Sequence, residues 1–278
     1  MNASLKPAVP QTTISTWLRD AAEELAMANI PTALLDAELI LAHTLHKSRT
    51  YLHAHGDDTL DPHRLEIANA RLDLRKDRVP VAYIIGHKEF YGRSFKVTPS
   101  VLIPRPDSEA LIECLKKHWG EKPGRLVDVG TGSGCLGITA KLELPLDVTL
   151  CDTSNHALTI AEDNARSLGA TVTIQRSDLL TNITGTFDII LANLPYVDTS
   201  WERSPETNHE PALALFAENG GLALIYQLID QTGLYLKKAG LLLLEADPTQ
   251  HAAIIAHAKN RRLSIIETSG YCLAFTKS

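Results

Sequence analysis

The chain has 278 residues, of which 44% are hydrophobic and 22% charged, and its formal net charge is −6. This ordinary composition excludes a disordered chain, a collagen and a disulfide scaffold. At roughly 150 residues per domain the length suggests about two domains. Cys114, Cys135, Cys151 and Cys272 form no C-x-x-C pair, which argues against a zinc knuckle and suits a reducing cytosol. No apolar run approaches the ~18 residues of a membrane span. The opening MNASLKPAVPQTT lacks a charged segment followed by an apolar one, so export is not expected.

The charge is unevenly spread. Residues 1–100 hold 12 basic and 12 acidic side chains, so the whole −6 lies in residues 101–278, with 15 basic and 21 acidic. A strong nucleic-acid binder shows a basic excess, because neutralising phosphates drives its affinity. One local basic cluster, Arg71, Arg75, Lys76 and Arg78, reads as a solvated helix face.

The first eighty residues read as helices. Trp17, Leu18, Ala21, Ala22, Leu25 and Ala28 recur at helical spacing, with Ser15 as N-cap and Pro31 as breaker. Leu34, Leu35, Leu39, Ile40 and Leu45 mark a second helix. Asp61-Pro62 opens a third, through Leu65, Ala68 and Leu72 to about Arg78, where Val79-Pro80 ends it. Residues 89–97 place aromatics around Gly92, as in a short β-hairpin. Pro104 and Pro106 then force an extended backbone, and Asp107 or Ser108 is placed to cap a helix from Glu109. From about residue 125 strands (125–129, 147–151, 171–175, Phe187–Ala192, 240–245, 264–266 with 271–276) alternate with helices such as 156–168 and 222–238. This order implies a mostly parallel sheet covered on both faces.

Four motifs follow successive strands. Gly130-Thr131-Gly132-Ser133-Gly134, after Asp128-Val129, lets the backbone turn sharply and approach a ligand closely. Asp152, 20 residues beyond Gly132, can accept both hydroxyls of a ribose. Asp178 in Ser177-Asp178-Leu179-Leu180 can accept from an adenine amino group while Leu179 covers a ring face. These three serve a dinucleotide and S-adenosylmethionine alike. Asn193-Leu194-Pro195-Tyr196 favours the second: the Asn193 side-chain oxygen and the Leu194 carbonyl can each accept one N–H of a planar amide or amidine, and Tyr196 can pack on the flat group.

The glycine loop combined with Asn193-Leu194-Pro195-Tyr196 resembles class I S-adenosylmethionine-dependent methyltransferases that act on a planar nitrogen. The segments Arg78–Gly92, Val101-Leu102-Ile103-Pro104-Arg105-Pro106-Asp107-Ser108-Glu109, Asp152-Thr153-Ser154 and Glu210-Pro211-Ala212-Leu213-Ala214-Leu215 resemble, more narrowly, the HemK/PrmC family. That family methylates the glutamine of the GGQ motif in peptide chain release factors. The resemblance implies an α/β class I Rossmann-like fold: a mostly parallel seven-stranded sheet with a small all-helical N-terminal domain and a β-hairpin linker. The domains would be 1–80 for substrate docking, 81–100 for the hairpin and 101–278 for methyl transfer.

It also implies S-adenosyl-L-methionine as cofactor, with S-adenosyl-L-homocysteine as product, bound by Gly130, Thr131, Gly132, Ser133, Gly134, Asp152, Asp178, Leu179 and Asn193. Asn193, Leu194, Pro195 and Tyr196 would be the catalytic and substrate-binding residues. Release factors would be the partner, with no metal, direct nucleic-acid contact or membrane, in the cytoplasm. Three positions depart from the family pattern: Leu194 stands where a second proline is usual, Glu245-Ala246-Asp247 where Glu-Ile-Gly is usual, and Leu179 where an aromatic is frequent. A ribosomal-protein glutamine methyltransferase and an adenine-N6 nucleic-acid methyltransferase are the alternatives. The cysteines fall at no position that this mechanism uses.

Overall fold

A computed structural model describes residues 12–278; the expectation about an export signal lies outside them. The chain forms two compact units, one ending at Ile85 and the other running from Gly86 to Ser278.

The first unit is helical: α1 (Ile14–Met27), α2 (Ala33–Leu45), α3 (Arg49–Ala54), α4 (Pro62–Lys76) and α5 (Val81–Ile85). Trp17, Leu25, Ile40, Leu41, Leu52 and Leu72 form its core. Thr13, not Ser15, caps α1, its hydroxyl accepting from the Thr16 N–H at 3.2 Å. The Asp61 carboxylate accepts from the His63 and Arg64 amides, and Pro62 has no donor to satisfy.

The basic cluster is not a solvated face. Arg75 is buried and donates to buried Asp36 at 2.7 Å. Arg71 donates to the Thr44 hydroxyl, Lys76 to Glu24, and Arg78 to the Asn29 carbonyl. These residues tie α4 to α1 and α2, which a charge count along one helix does not reveal.

In the second unit, β1 (His87–Phe90) and β2 (Arg93–Lys96) form the antiparallel hairpin. Tyr91 and Gly92 both take positive φ, 51° and 69°, as a two-residue turn with the strand twist requires. The Asn164 side chain bonds both the N–H and the carbonyl of Lys96 and donates to the Ser133 carbonyl. After a 3-10 turn (Pro106–Ser108) comes α6 (Glu109–Trp119), and then β3 (Gly124–Val129), α7 (Cys135–Glu143), β4 (Leu146–Asp152), α8 (Asn155–Leu168), β5 (Thr173–Arg176) and β6 (Phe187–Ala192). The rest comprises α9 (Ala212–Leu215), α10 (Ala223–Tyr235), β7 (Leu236–Glu245), α11 (His251–Lys259), β8 (Leu263–Ser269) and β9 (Cys272–Lys277).

The large sheet has the order β5-β4-β3-β6-β7-β9-β8. The first five strands are parallel, and β9 is antiparallel to both neighbours. Successive residues face opposite sides of a strand. Leu126, Ile189, Leu191 and Leu243 therefore pack with α6, α7 and α8, while Val127, Val129, Ile190 and Leu242 pack with α10 and α11.

Two local expectations change. The helix expected over 222–238 ends at Tyr235, because Leu236 already pairs with Phe187 ahead of a register shift. Neither Asp107 nor Ser108 caps α6; the Ser108 hydroxyl is used elsewhere, as shown below.

Removing Arg75 leaves Asp36 charged and buried. Arg75→Ala is expected to cost the helical unit about 3–5 kcal/mol, and the paired Arg75→Met/Asp36→Leu change much less. Urea unfolding of both variants measures the difference.

Candidate active site

In an open parallel sheet, ligands bind beyond the carboxyl ends of the strands where strand order reverses. Here that place lies between β3 and β6. A pocket of about 320 Å³ opens there, lined by Gly130, Thr131, Gly132, Ser133, Asp152, Asp178, Leu179, Asn193, Leu194 and Pro195. The volume lies in the range of roughly 300–1,000 Å³ typical of small-molecule sites. Gly134 and Tyr196, the two remaining expected residues, do not line it. Ser108, Arg105, Pro104, Pro211, Leu213 and Cys135 do.

The loop after β3 is held from below. The Cys151 carbonyl accepts from the Gly130 and Thr131 amides at 2.9 and 3.0 Å. Asp128 is buried, and one of its oxygens accepts from the Thr131 hydroxyl at 2.6 Å and the Gly137 amide at 2.9 Å. Gly130, Gly132 and Gly134 all have positive φ. A Cβ on Gly130 would stand 2.9 Å from Leu194 Cδ2, so the Leu194 side chain rests on the bare glycine. A Cβ on Gly132 would meet no heavy atom within 4 Å, so that backbone faces open space. Gly134 instead permits close packing, since a Cβ there would lie 2.6 Å from Ile138.

Asp152 is half-buried and receives the Gly132 amide at 3.0 Å on one oxygen and the Ser154 amide at 2.9 Å on the other. The cap of α8 is Ser154 itself, accepting from Ala157. A carboxylate has about four acceptor positions, so two remain for a ligand. Asp178 stands exposed at the rim, and Leu179 is buried with φ of 47°.

The loop after β6 rests on Glu245, a buried residue at the end of β7. Asn193 Nδ2 donates to Ser108 Oγ at 3.1 Å, and that hydroxyl donates to Glu245. The Tyr196 hydroxyl donates to the other Glu245 oxygen at 3.1 Å. Gln250 Nε2 donates to the Tyr196 carbonyl at 2.8 Å. Tyr196 thus braces the loop from behind, with its ring beside Tyr271, and does not form the face expected for a flat substrate. Burial pushes the Glu245 carboxyl above the usual carboxylate range, against the opposing pull of the Ser108 and Tyr196 hydroxyls and the Asn193 amide. Burial, with Glu245 beside it, likewise raises the Tyr196 phenol. Across the pocket, buried Glu210 accepts from the Ile103 amide at 3.1 Å and pairs with the Arg105 guanidinium.

Sequence reading missed Ser108, Glu245, Glu210 and Gln250 as parts of the site. Each bonds a residue distant in the chain, so no spacing signals it. Cys135 borders the pocket, although burial raises its thiol to about 12 and keeps it protonated. Cys114 lies within hydrogen-bonding reach of Cys272.

Burial raises the Asp128 carboxyl to about 6, against the pull of its Thr131 and Gly137 bonds. The folded site therefore favours the neutral acid, and this group opposes folding above about pH 6; the penalty fades as the pH falls towards the ordinary carboxylate range. Asp128→Asn keeps an acceptor without the charge. It is expected to melt higher than the unchanged protein at pH 8, and to lose that advantage near pH 4, in paired thermal melts.

Comparison with known proteins agrees with this arrangement. The family model described as PrmC N-terminal domain matches residues 16–86, and that described as methyltransferase small domain matches residues 105–228. A release factor glutamine methyltransferase of Koribacter versatilis is 38% identical over 248 residues, covering 85% of this chain and 89% of that protein. The release factor glutamine methyltransferase of Escherichia coli is 33% identical over 246 residues, covering 86% and 87%. Among solved structures, a methyltransferase from Pyrococcus furiosus matches with a TM-score of 0.55 at 18% identity, covering 76% of this chain and 98% of that one. The T. thermophilus 16S rRNA N2 G1207 methyltransferase, in complex with AdoMet and guanosine, matches at 0.54 and 16%, covering 69% and 49%. These two show the class I methyltransferase fold. With that fold, two family matches and relatives this similar over most of its length, the chain belongs to the release factor glutamine methyltransferase family.

Proposed function

We infer that this protein transfers the methyl group of S-adenosyl-L-methionine to the side-chain amide nitrogen of the GGQ glutamine in peptide chain release factors, yielding S-adenosyl-L-homocysteine. One observation carries the reading: Asn193, with its Nδ2 committed to Ser108, borders the same pocket as Gly132 and Asp152. An amide acceptor and a nucleoside-binding edge thus share one cavity. The relatives' own activity, release factor glutamine methylation, points to the same substrate.

The residues fit the cofactor. Asp152 has acceptor positions left for ribose hydroxyls, and open space lies before Gly132. Asp178 stands ready at the rim for an adenine amino group, and Leu179 offers an apolar cover. When bound there, the cofactor supplies an electrophilic methyl sulfonium.

A glutamine amide nitrogen is a poor nucleophile, because its lone pair is delocalised into the carbonyl. The protein must therefore act by orientation. Asn193 Oδ1 accepts one amide N–H and the Leu194 carbonyl the other, which aims the nitrogen and stabilises the positive charge developing on it. Leu194 is held by Pro195 and by its seat on Gly130. Tyr196 keeps the loop in place through Glu245 and Gln250. The methylated nitrogen then loses one proton to water or a carbonyl, so no strong base is required and no histidine is assigned to the step.

Residues 1–80 are assigned to docking of the protein substrate, 81–100 to the linker and 101–278 to methyl transfer. The acidic balance of residues 101–278 favours a protein substrate over naked nucleic acid. A reducing cytoplasm suits the four free cysteines among the described residues. No helix among those residues is long and apolar enough to cross a membrane.

Mass spectrometry after incubation with labelled S-adenosylmethionine tests the substrate. One added methyl on the GGQ glutamine is expected; methyl on a ribosomal protein or on adenine, with none on release factor, would overturn the reading. Asn193→Ala is expected to lower turnover by about two to four orders of magnitude while cofactor affinity holds. Asp152→Ala is expected to weaken cofactor binding by about tenfold or more in calorimetry.

A further inference from the structure

The two ends of an asparagine amide have nearly the same shape and opposite hydrogen-bonding character. Methyl transfer as read above requires Asn193 to present its oxygen. Nothing in the shape of the side chain ensures this, so a neighbour must. We propose that Glu245 and Ser108 are positioning residues that select the productive orientation of the Asn193 amide. The proposal rests on the glutamine methyltransferase reading of this pocket.

The selection follows from counting protons. Ser108 has one hydroxyl hydrogen, and Glu245, which takes a hydroxyl donor on each of its two oxygens, is a carboxylate that can only accept. Ser108 Oγ bonds both Glu245 and Asn193. Its hydrogen must go to Glu245, which leaves it only lone pairs for Asn193. Asn193 must then turn its NH2 towards Ser108 and towards Glu245, which it also bonds directly, and its oxygen is left for the substrate amide. Among the described residues no group donates to that oxygen. The Tyr196 hydroxyl fills the other Glu245 oxygen, so the acid has no competing demand on that side. Ser108 and Glu245 are both only 2% exposed, so the bond between them is shielded from bulk water. Ser108 begins α6 without capping it, which leaves its hydroxyl for this relay.

Glu245→Gln keeps the shape and reverses the instruction. A glutamine with its oxygen on Tyr196 turns its NH2 to Ser108. The Ser108 hydrogen then points to Asn193 and requires the amide oxygen there. This arrangement satisfies every buried group, whereas the opposite glutamine orientation strands the Tyr196 hydrogen. Asn193 now presents NH2 to the substrate.

The test compares the unchanged enzyme with Glu245→Gln and Ser108→Ala. Glu245→Gln is expected to lower kcat by about ten- to a hundredfold with unchanged affinity for S-adenosylhomocysteine. It is also expected to bind a release factor carrying glutamate in place of the GGQ glutamine better, relative to the glutamine form, than the unchanged enzyme does, in calorimetry with S-adenosylhomocysteine present. A purely structural role would not move that preference. Ser108→Ala is expected to slow turnover less, because Asn193 keeps its direct bond to Glu245, and adding Glu245→Gln to it should bring turnover down to about the level of Glu245→Gln alone or below. Undiminished turnover in either single variant, or a slow Glu245→Gln enzyme with unshifted preference, overturns the proposal. If Glu245→Gln does not fold, the Ser108→Ala turnover decides. Failure of the unchanged enzyme to methylate the glutamine would sink the functional reading itself, a separate outcome.

Discussion

The strands β3 and β6 end side by side in the sheet, and their following helices leave over opposite faces, α7 on one and α10 on the other. No crossover covers the gap between them. Each strand end also delivers backbone groups that the ladder no longer uses, and these must find partners or line a cavity. The pocket, the glycine loop and the asparagine loop are all consequences of this divergence. The proline-bounded segment ahead of α6 closes the remaining side through the Glu210 bonds to Ile103 and Arg105.

Three acids then stiffen what the topology leaves open. Asp128 gathers Thr131 and Gly137 from within β3, Asp152 gathers Gly132 and Ser154 after β4, and Glu245 gathers Ser108 and Tyr196 after β7. Asp152 and Glu245 join segments that meet only in the folded chain, while Asp128 closes the turn that follows its own strand. Burial raises the carboxyl of Asp128 and of Glu245, so loop geometry is maintained against a desolvation cost.

Much of this architecture was legible in the sequence. The alternation after residue 125 announced the parallel sheet, and Gly130, Thr131, Gly132, Ser133, Asp152, Asp178, Leu179 and Asn193 do converge on one pocket. Local signals failed where tertiary demands prevailed. Ser15 and Ser108 both sit where capping residues are favoured, yet Thr13 caps α1 and Ser108 serves Glu245. The cluster Arg71–Arg78 looked solvated because helical spacing says nothing of Asp36 and Thr44 on the next helix. Tyr196 is in its expected loop, but the buried Glu245 draws its hydroxyl away from the pocket. Side-chain direction depends on partners far along the chain, and sequence spacing carries no record of them.

Leu194 stands where the resemblance read from the sequence implies a second proline. A proline ring restrains the backbone covalently, and that restraint does not loosen on heating. Leu194 is restrained instead by contact, its Cδ2 seated over Gly130 where no Cβ intrudes. Such packing weakens as thermal motion grows. The loop after β6 should therefore lose its shape before the sheet melts, so that catalysis has a lower ceiling in temperature than the fold that carries it.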